Sequence, residues 1–282
     1  PPAGPPAAPP AGPSAGPPAG PSAESSDEPP ARRPAGPSAG ASGGGGEVML
    51  LAKAHYPVTT LGPGIRAGIW MQGCTLHCPG CLSRDTWEAD PATAVPVEAV
   101  LGWLASLPGP VDGVTISGGE PFQQPAALAA LVSGIRTWRD DPARETIRLD
   151  ILVYSGYVYS RLSRDPEARE ILDMCDAVIT GPYVDRLNPG GRHPESGSLL
   201  WKGSANQRIV PLSSLGRRRY GAVADGDWEK EHAGPRVQVS VDEGPEGRRV
   251  YYIGIPRRGD MDHLTSTLDR AGVRAGDVSW RP

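Results

Sequence analysis

The sequence predicts an α/β protein with a mostly parallel sheet, and three observations support this fold class. Short apolar segments typical of buried strands alternate with segments in which apolar residues recur at the spacing of one helix face. Their lengths are those of βαβ units, which build parallel sheets through right-handed crossovers. Polar and glycine-rich motifs follow several of the strands, and in such sheets the functional residues gather at the carboxyl ends of the strands.

The first 46 residues differ in composition from the rest of the chain. Residues 1–46 contain no Val, Ile, Leu, Met, Phe, Trp or Tyr, so they cannot offset the entropy cost of ordering, and we predict a disordered tail. The tail has no apolar centre and is not a signal peptide, and no run in the chain reaches the roughly 18 apolar residues of a membrane span. A net charge of −4 also gives no general attraction to nucleic acid or membrane, so we expect a cytoplasmic protein.

From residue 47 onward, strands and helices alternate along the chain. The predicted strands are 48–52, 67–71, 111–117, 149–154, 177–180 and 199–211. Helical spacing of apolar residues predicts helices over 97–104, 128–138 and 166–174. We assign 47–215 to one domain, 216–234 to an irregular polar linker, and 235–282 to a small α+β appendage. The appendage is predicted to contain a β-hairpin (236–241 with 248–255) and a helix (260–271).

Three of the four cysteines lie together in Cys74-Thr-Leu-His-Cys78-Pro-Gly-Cys81, directly after a predicted strand. Three thiolates at this spacing can hold three irons of a [4Fe-4S] cluster and leave the fourth iron open for chemistry. A zinc site completed by His77 or a distant ligand is one alternative, and three unrelated buried cysteines are another. Cys175 is far away in sequence and is predicted to be a small buried residue.

Several motifs, in order, resemble those of the radical S-adenosylmethionine (SAM) superfamily, and more closely those of the activating proteins of anaerobic ribonucleotide reductase and related glycyl-radical enzymes. The resemblance covers about 61–212. Its motifs are Gly62-Pro-Gly-Ile-Arg66, Gln72-Gly-Cys74, Cys78-Pro-Gly-Cys81, Thr86-Trp87, Ser117-Gly-Gly-Glu-Pro121, Tyr154-Ser-Gly-Tyr157 and Trp201-Lys-Gly-Ser-Ala-Asn-Gln207. It implies a partial (β/α) barrel of the radical SAM type.

The resemblance also implies an oxidoreductase with two cofactors, a [4Fe-4S] cluster and SAM. Reductive cleavage of SAM would give a 5′-deoxyadenosyl radical that abstracts hydrogen and leaves a glycyl radical on a partner enzyme. The expected partner is an anaerobic ribonucleotide reductase, and a flavodoxin or ferredoxin is the expected electron donor. Two alternatives remain open: the same chemistry on a peptide or small molecule, and a non-catalytic iron–sulfur or zinc protein that binds a partner.

The site residues implied by the resemblance lie on three loops, and no catalytic side chain is expected beyond the cluster and SAM. The metal ligands are Cys74, Cys78 and Cys81. The residues expected to contact SAM are Gly80, Cys81, Leu82, Gly118, Gly119, Glu120 and Ser155. Glycines would let the backbone approach the ligand, with a plain turn as the alternative.

Individual side chains have specific expected roles and competing explanations. Glu120 would accept hydrogen bonds from the methionine ammonium of SAM, and Ser155 would meet its carboxylate or ribose, unless it is a satisfied loop serine. Gly80 stands where many superfamily members place an aromatic residue beside the adenine, so its backbone is expected to contact the adenine. Arg66 would balance the charge of the cysteine loop, face a partner or lie on the surface. Asn206 and Gln207 belong to the last motif or cap backbone groups.

Overall fold

The computed structural model describes residues 46–141, 149–188, 199–225, 236–244 and 247–272. All of them belong to Arg33–Pro282, one of two units into which the chain divides. The tail predicted over 1–46 lies outside the described residues apart from Gly46. Within the described ranges, no helix has the length and apolar character needed to cross a membrane.

A seven-stranded mixed sheet forms the centre of the fold. Its strands are β1 (Val48–Val58), β2 (Arg66–Met71), β3 (Ala94–Pro96), β4 (Gly113–Gly118), β5 (Asp150–Ser155), β6 (Ala177–Thr180) and β7 (Arg208–Pro211). The spatial order is β3-β1-β2-β4-β5-β6-β7. The four central strands β2, β4, β5 and β6 are parallel, whereas β1, β3 and β7 pair antiparallel. The predicted α/β class is confirmed, with antiparallel strands at both edges.

Helices connect the strands and cover the sheet. They are α1 (Val97–Ala105), α2 (Pro125–Arg139), the single turn α3 (Tyr159–Leu162) and α4 (Pro166–Met174). The apolar faces of α1, α2 and α4 share one core with β2, β4 and β5. Helix α4 spans the predicted range because its start carries two clear signals. Asp165 accepts hydrogen bonds from the N–H groups of Glu167 (3.0 Å) and Ala168 (3.3 Å), and a proline occupies the first turn.

The prediction of an irregular linker over 216–234 is wrong in its first part, which is helix α5 (Ser214–Ala224). The charged run 217–219 favoured a solvated segment. Even so, the helix buries one narrow stripe that includes Tyr220, which is 0% exposed and lies edge-on to Trp201. Gly216 belongs to that stripe because a β-carbon there would overlap the carbonyl oxygen of Asp176. Residues 226–234 lie outside the described ranges.

The appendage contains the predicted hairpin and helix. Strands β8 (Val237–Gly244) and β9 (Gly247–Gly254) pair antiparallel, and α6 (Asp260–Arg270) follows. Ile253 packs in a small cluster with Val58, Leu61 and Trp70. The side chain of Gln238 donates to the carbonyl oxygen of Pro57 at 2.6 Å and accepts from the N–H of Thr59 at 3.0 Å. The hairpin therefore lies against the end of β1.

Arg66 lies at the amino end of β2, and its predicted positions are wrong. It is 0% exposed and makes two hydrogen bonds with Asp150, at 2.8 and 3.1 Å. Arg219 (2.6 Å) and the hydroxyl of Tyr220 bind the same carboxylate. Burial alone would lower the pKa of Arg66, but the charges of Tyr220 and Asp150 raise it above its usual value. The cysteine loop follows the opposite end of the six-residue strand, about 16 Å away at 3.3 Å per residue.

Candidate metal centre

The cysteine loop, residues 72–87, leaves the carboxyl end of β2 and returns to the same point. The N–H of Gly73 donates to the carbonyl oxygen of Thr86, and the N–H of Cys74 donates to that of Trp87, both at 2.8 Å. The side-chain amide of Gln72 donates to the carbonyl oxygens of Asp85 (3.0 Å) and Glu88 (2.7 Å). These bonds close the base of the loop, so its cysteines project from a defined frame.

The three cysteines of this loop are half-buried free thiols. Burial raises the pKa of Cys74 and Cys78, while backbone hydrogen bonds from Leu76 and His77 to Cys74, and from Tyr183 to Cys78, act in the opposite direction. Cluster binding requires thiolates, and N–H groups directed at the sulfur stabilise that charged form. The donor set therefore fits an iron–sulfur cluster once metal displaces the protons.

The zinc alternative called for His77 or a distant ligand beside the three cysteines. Among the described side chains, no three His, Cys, Asp or Glu residues form a group able to hold one metal ion, as zinc would require. His77 instead stacks on Trp87, with ring centroids 4.6 Å apart. A cluster binds each thiolate at a different iron and does not need the sulfurs around one point. Cys175 is 3% exposed, which confirms that it is a buried residue outside the site.

Gly118 and Gly119 bring the end of β4 against the cysteine loop. Gly118 has φ +103°, and a β-carbon on either glycine would overlap backbone, that of Met71 for Gly118 and the carbonyl oxygen of Gly73 for Gly119. The N–H of Gly119 donates to Met71 (2.7 Å) and that of Glu120 to Gly73 (2.9 Å). These two glycines therefore allow the end of β4 to pack closely against the backbone of Met71 and Gly73.

Glu120 is a buried carboxylate beside the cysteine loop. It is 0% exposed and accepts three hydrogen bonds: from the hydroxyl of Ser155 (2.8 Å) and the N–H groups of Gly156 (2.7 Å) and Phe122 (3.1 Å). Burial raises its pKa to about 6, although these bonds and the charge of Arg161 lower it in part. Above that pH Glu120 is an ionised, oriented acceptor.

The other predicted contacts occupy the same end of the sheet. The hydroxyl of Ser155 also accepts from the N–H of Tyr157 at 3.1 Å, so Ser155 is at least a satisfied loop serine that orients Glu120. Gly80 has φ +80°, and a β-carbon on it would lie 3.1 Å from the ring of Tyr183. Leu82 is partly buried on the cysteine loop. The structure thus brings together the loops after β2, β4 and β5.

Gln123 joins these loops and was not predicted from the sequence. Its side-chain oxygen accepts from the N–H of Thr75 (3.1 Å), and its amide donates to the hydroxyls of Thr75 (2.7 Å) and Tyr157 (2.8 Å). The guanidinium of Arg161 lies 3.7 Å from the centre of the Tyr157 ring. The available signal was position, because Gln123 lies three residues after Glu120 at the carboxyl end of β4.

Asn206 and Gln207 form hydrogen bonds with backbone groups, which confirms one of their two expected roles. Gln207 accepts from the N–H groups of Gly203 (2.7 Å) and Ser204 (3.2 Å) and donates to the carbonyl oxygen of Gly181 at 3.0 Å. Asn206 donates to that of Pro182 at 2.8 Å. These bonds hold the loop after β6, which carries Tyr183 to the cysteine loop.

An open cavity of about 1060 Å³ lies elsewhere, against α1 and α2. Leu101, Gly134 and Met174 are among its lining residues, and no predicted site residue is. We place the functional site at the cysteine loop, because thiols and a buried carboxylate converge there.

Comparison with known proteins agrees with this site. Residues 60–210, more than half of the chain, match the family described as a 4Fe-4S single cluster domain. The matched range includes the cysteine loop, Glu120 and Gln207. The match defines the class of the protein and supports an iron–sulfur cluster as the group held here.

Relatives of the chain include several proteins named anaerobic ribonucleoside-triphosphate reductase-activating protein. The Escherichia coli K12 protein is 29% identical over 164 residues, 56% of this chain and 96% of the relative. The Pasteurella multocida protein is 31% identical over 162 residues, 55% of this chain and 93% of the relative. The protein of enterobacteria phage T4 is 28% identical over 151 residues, 52% and 85% of the two chains. The chain belongs to this family of activating proteins.

Proposed function

We propose that the chain is a radical SAM activase that generates a glycyl radical on an anaerobic ribonucleoside-triphosphate reductase. The observation that carries the proposal is the convergence of the three-cysteine loop and the buried Glu120 at the carboxyl ends of β2 and β4. Cys74, Cys78 and Cys81 would hold a cluster that, when reduced, would supply the single electron needed for cleavage of SAM and so for the glycyl radical of the partner.

The cysteine loop has the role of holding the cluster at three irons. Cys74, Cys78 and Cys81 are its proposed ligands, and the bonds of Gly73 and Cys74 to 86–87 keep the loop closed before metal arrives. The N–H groups directed at Cys74 and Cys78 stabilise their thiolates. With no fourth cysteine near the loop in the described ranges, one iron is left for SAM.

Glu120 has the role of orienting SAM beside the open iron. Its three donors hold the carboxylate in one position, and at neutral pH it is ionised and able to accept from the ammonium of the methionine moiety. Ser155 acts here through Glu120. The backbone of Gly80 to Leu82 is assigned to the adenine. Gly118 and Gly119 keep this carboxylate close to the cluster ligands by letting β4 pack on Gly73.

The reductase is proposed as the partner because the matched relatives are named for activating it. A flavodoxin or ferredoxin as electron donor, the cytoplasm as location, and a partial barrel formed by the sheet belong to the same proposal. So do a single 47–215 domain and a separate appendage over 235–282, which the family match over 60–210 does not reach.

The test starts with anaerobic reconstitution of the full chain with iron and sulfide. We expect broad visible absorption near 400 nm, about four irons per chain, and 5′-deoxyadenosine formation after reduction with SAM present. Addition of an anaerobic ribonucleotide reductase should give the electron paramagnetic resonance doublet of a glycyl radical.

Each step separates one alternative. Zinc in place of iron, or a reduced cluster that yields no 5′-deoxyadenosine, would refute the SAM chemistry. Cleavage of SAM without a radical on the reductase would keep the chemistry and reject this partner. A Glu120→Gln variant should keep its iron but bind SAM about tenfold less tightly, since a charge-assisted bond is lost.

A further inference from the structure

The C-terminal appendage contacts the loop that follows β6, although the appendage lies beyond the family match. The match ends at residue 210, whereas the appendage begins with β8 at Val237. The segment 256–258, between β9 and α6, approaches the loop that follows β6. The appendage, which lies outside the matched range, therefore contacts the loop after β6, which also carries Tyr183.

The side chain of Asn188 connects the appendage to Tyr183 through both the nitrogen and the oxygen of its amide group. Its Nδ2 donates to the hydroxyl of Tyr183 (3.1 Å) and to the carbonyl oxygen of Pro256 (3.3 Å), and its Oδ1 accepts from the N–H of Arg258 (3.2 Å). The residue is 6% exposed. An amide side chain offers both donors and an acceptor, so one buried residue ties the appendage to Tyr183. Arg258 adds a weak ion pair to Asp185 at 3.5 Å.

Tyr183 continues the connection to the cysteine loop at two points. Its backbone N–H lowers the pKa of the Cys78 thiol in part, against the larger effect of burial. Its ring lies beside Gly80, where an added β-carbon would be 3.1 Å from Cε1. Its hydroxyl donates to the carboxylate of Asp185 at 3.0 Å and accepts from Asn188, so two hydrogen bonds fix the position of the ring. The path from the appendage to a proposed cluster ligand thus has two residues, Asn188 and Tyr183.

We propose that Asn188 is a positioning residue through which the appendage supports cluster binding at Cys78. The inference rests on the cluster ligands of the proposed function, and not on SAM or the reductase. Asn188 keeps the backbone N–H of Tyr183 near the Cys78 sulfur and keeps the Tyr183 ring beside Gly80. Outer partners of metal ligands commonly control affinity and redox potential in this way.

The test compares Asn188→Ala with Gln238→Ala in the full chain carrying its cluster. Gln238 anchors the same appendage to Pro57 and Thr59 and makes none of the contacts to Asn188 or Tyr183. In Asn188→Ala we expect a chelator to bleach the cluster about tenfold faster than in wild type. The midpoint potential should also become more negative, because an N–H donor to sulfur stabilises the reduced cluster. Gln238→Ala should match wild type in both measurements.

The proposal requires both changes in Asn188→Ala and neither in the control. An unchanged rate or an unchanged potential would overturn it, and so would equal effects in Gln238→Ala, which would indicate loosening of the appendage as a whole. If Asn188→Ala does not fold, Tyr183→Phe replaces it, since it removes only the hydroxyl and should shift both values in the same directions. Neither readout contains SAM, so a failure of SAM cleavage leaves this comparison intact.

Discussion

Each end of the central parallel strands buries one carboxylate, and the charges of these two carboxylates are compensated in different ways. At the amino ends, Asp150 is 0% exposed and faces the cations Arg66 and Arg219 and the hydroxyl of Tyr220. At the carboxyl ends, Glu120 is equally buried but meets only neutral hydrogen-bond donors in direct contact, and its pKa rises to about 6. The first charge is compensated inside the protein, whereas the second has acceptor capacity left for a ligand.

This difference follows from the cost of burying charge. An ionised group removed from water needs an opposite charge or several hydrogen bonds, and without a full set its neutral form becomes more favourable. The Asp150 network is complete, so it holds β2, β5 and α5 together. Glu120 has no cation among its direct hydrogen-bond partners, and in the proposed function the ammonium group of SAM would be that cation. A buried carboxylate with incomplete charge compensation beside three half-buried thiols is a mark of a functional site.

The largest expected effect comes from removing a proposed ligand at the carboxyl end. Cys78→Ala leaves two thiolates in the loop, and we expect bound iron to fall about tenfold or more after reconstitution. Cys175→Ala is the matched control, because that cysteine is 3% exposed on the far side of the core and should leave the iron content unchanged. Full iron and sulfide content in Cys78→Ala would show that the ligand assignment is wrong.

A second prediction breaks the compensated network at the amino ends. Asp150→Asn keeps the shape of the side chain but leaves Arg66 buried without a counter-charge, so the free energy of unfolding should fall by about 3–5 kcal/mol. Urea denaturation of cluster-free protein measures this change. Asp140→Asn is the comparison, since Asp140 is 59% exposed in its pair with Arg139 and its loss should cost less than about 1 kcal/mol. Equal costs for the two variants would contradict the structural role of Asp150.

The smallest effect concerns the pH dependence that Glu120 gives to stability. Its pKa is about 6 in the folded cluster-free protein against 4.5 for the ordinary group. Between these values the unfolded chain releases the proton first, so rising pH destabilises the fold, by roughly 2 kcal/mol in all. Glu120→Gln should lose this decline across pH 4.5–6.5, whereas a change at the exposed Glu88, Glu88→Gln, should keep it. An unchanged slope in Glu120→Gln would place the titration elsewhere.

Much of the fold could be predicted because the signals were local. Helix α4 and strand β6 have their predicted bounds, since capping at Asp165 and a short run of branched residues are read from neighbours in sequence. The hairpin and helix of the appendage were found in the same way. The spacing of its cysteines indicated the cysteine loop, and the family resemblance implied Glu120; both follow strands whose ends meet at one edge of the sheet.

The wrong and missed predictions have a common physical cause. The identity of a polar residue does not indicate which groups its side chain contacts in the folded protein. Arg66 was expected near the loop or on the surface, yet it is buried against Asp150, 84 residues later. The sequence predicts a linker where helix α5 forms, because the buried stripe of this helix lies between arginines. One of these arginines, Arg219, binds the buried carboxylate of Asp150. Gln123 and Asn188 were missed for the same reason, since their partners come from different loops.

The sequence by itself determined the family of this protein and its 4Fe-4S domain, through the spacing of Cys74, Cys78 and Cys81 and the order of the motifs around them. Such spacing is sufficient because the ligands of one loop need no distant partner to come together. Only the tertiary structure decided which charges are compensated and which residues support the loop. Hydrogen bonds such as those of Asn188 to Tyr183 and 256–258 join segments far apart in the chain. Their energies depend on ångström distances that residue identity does not contain.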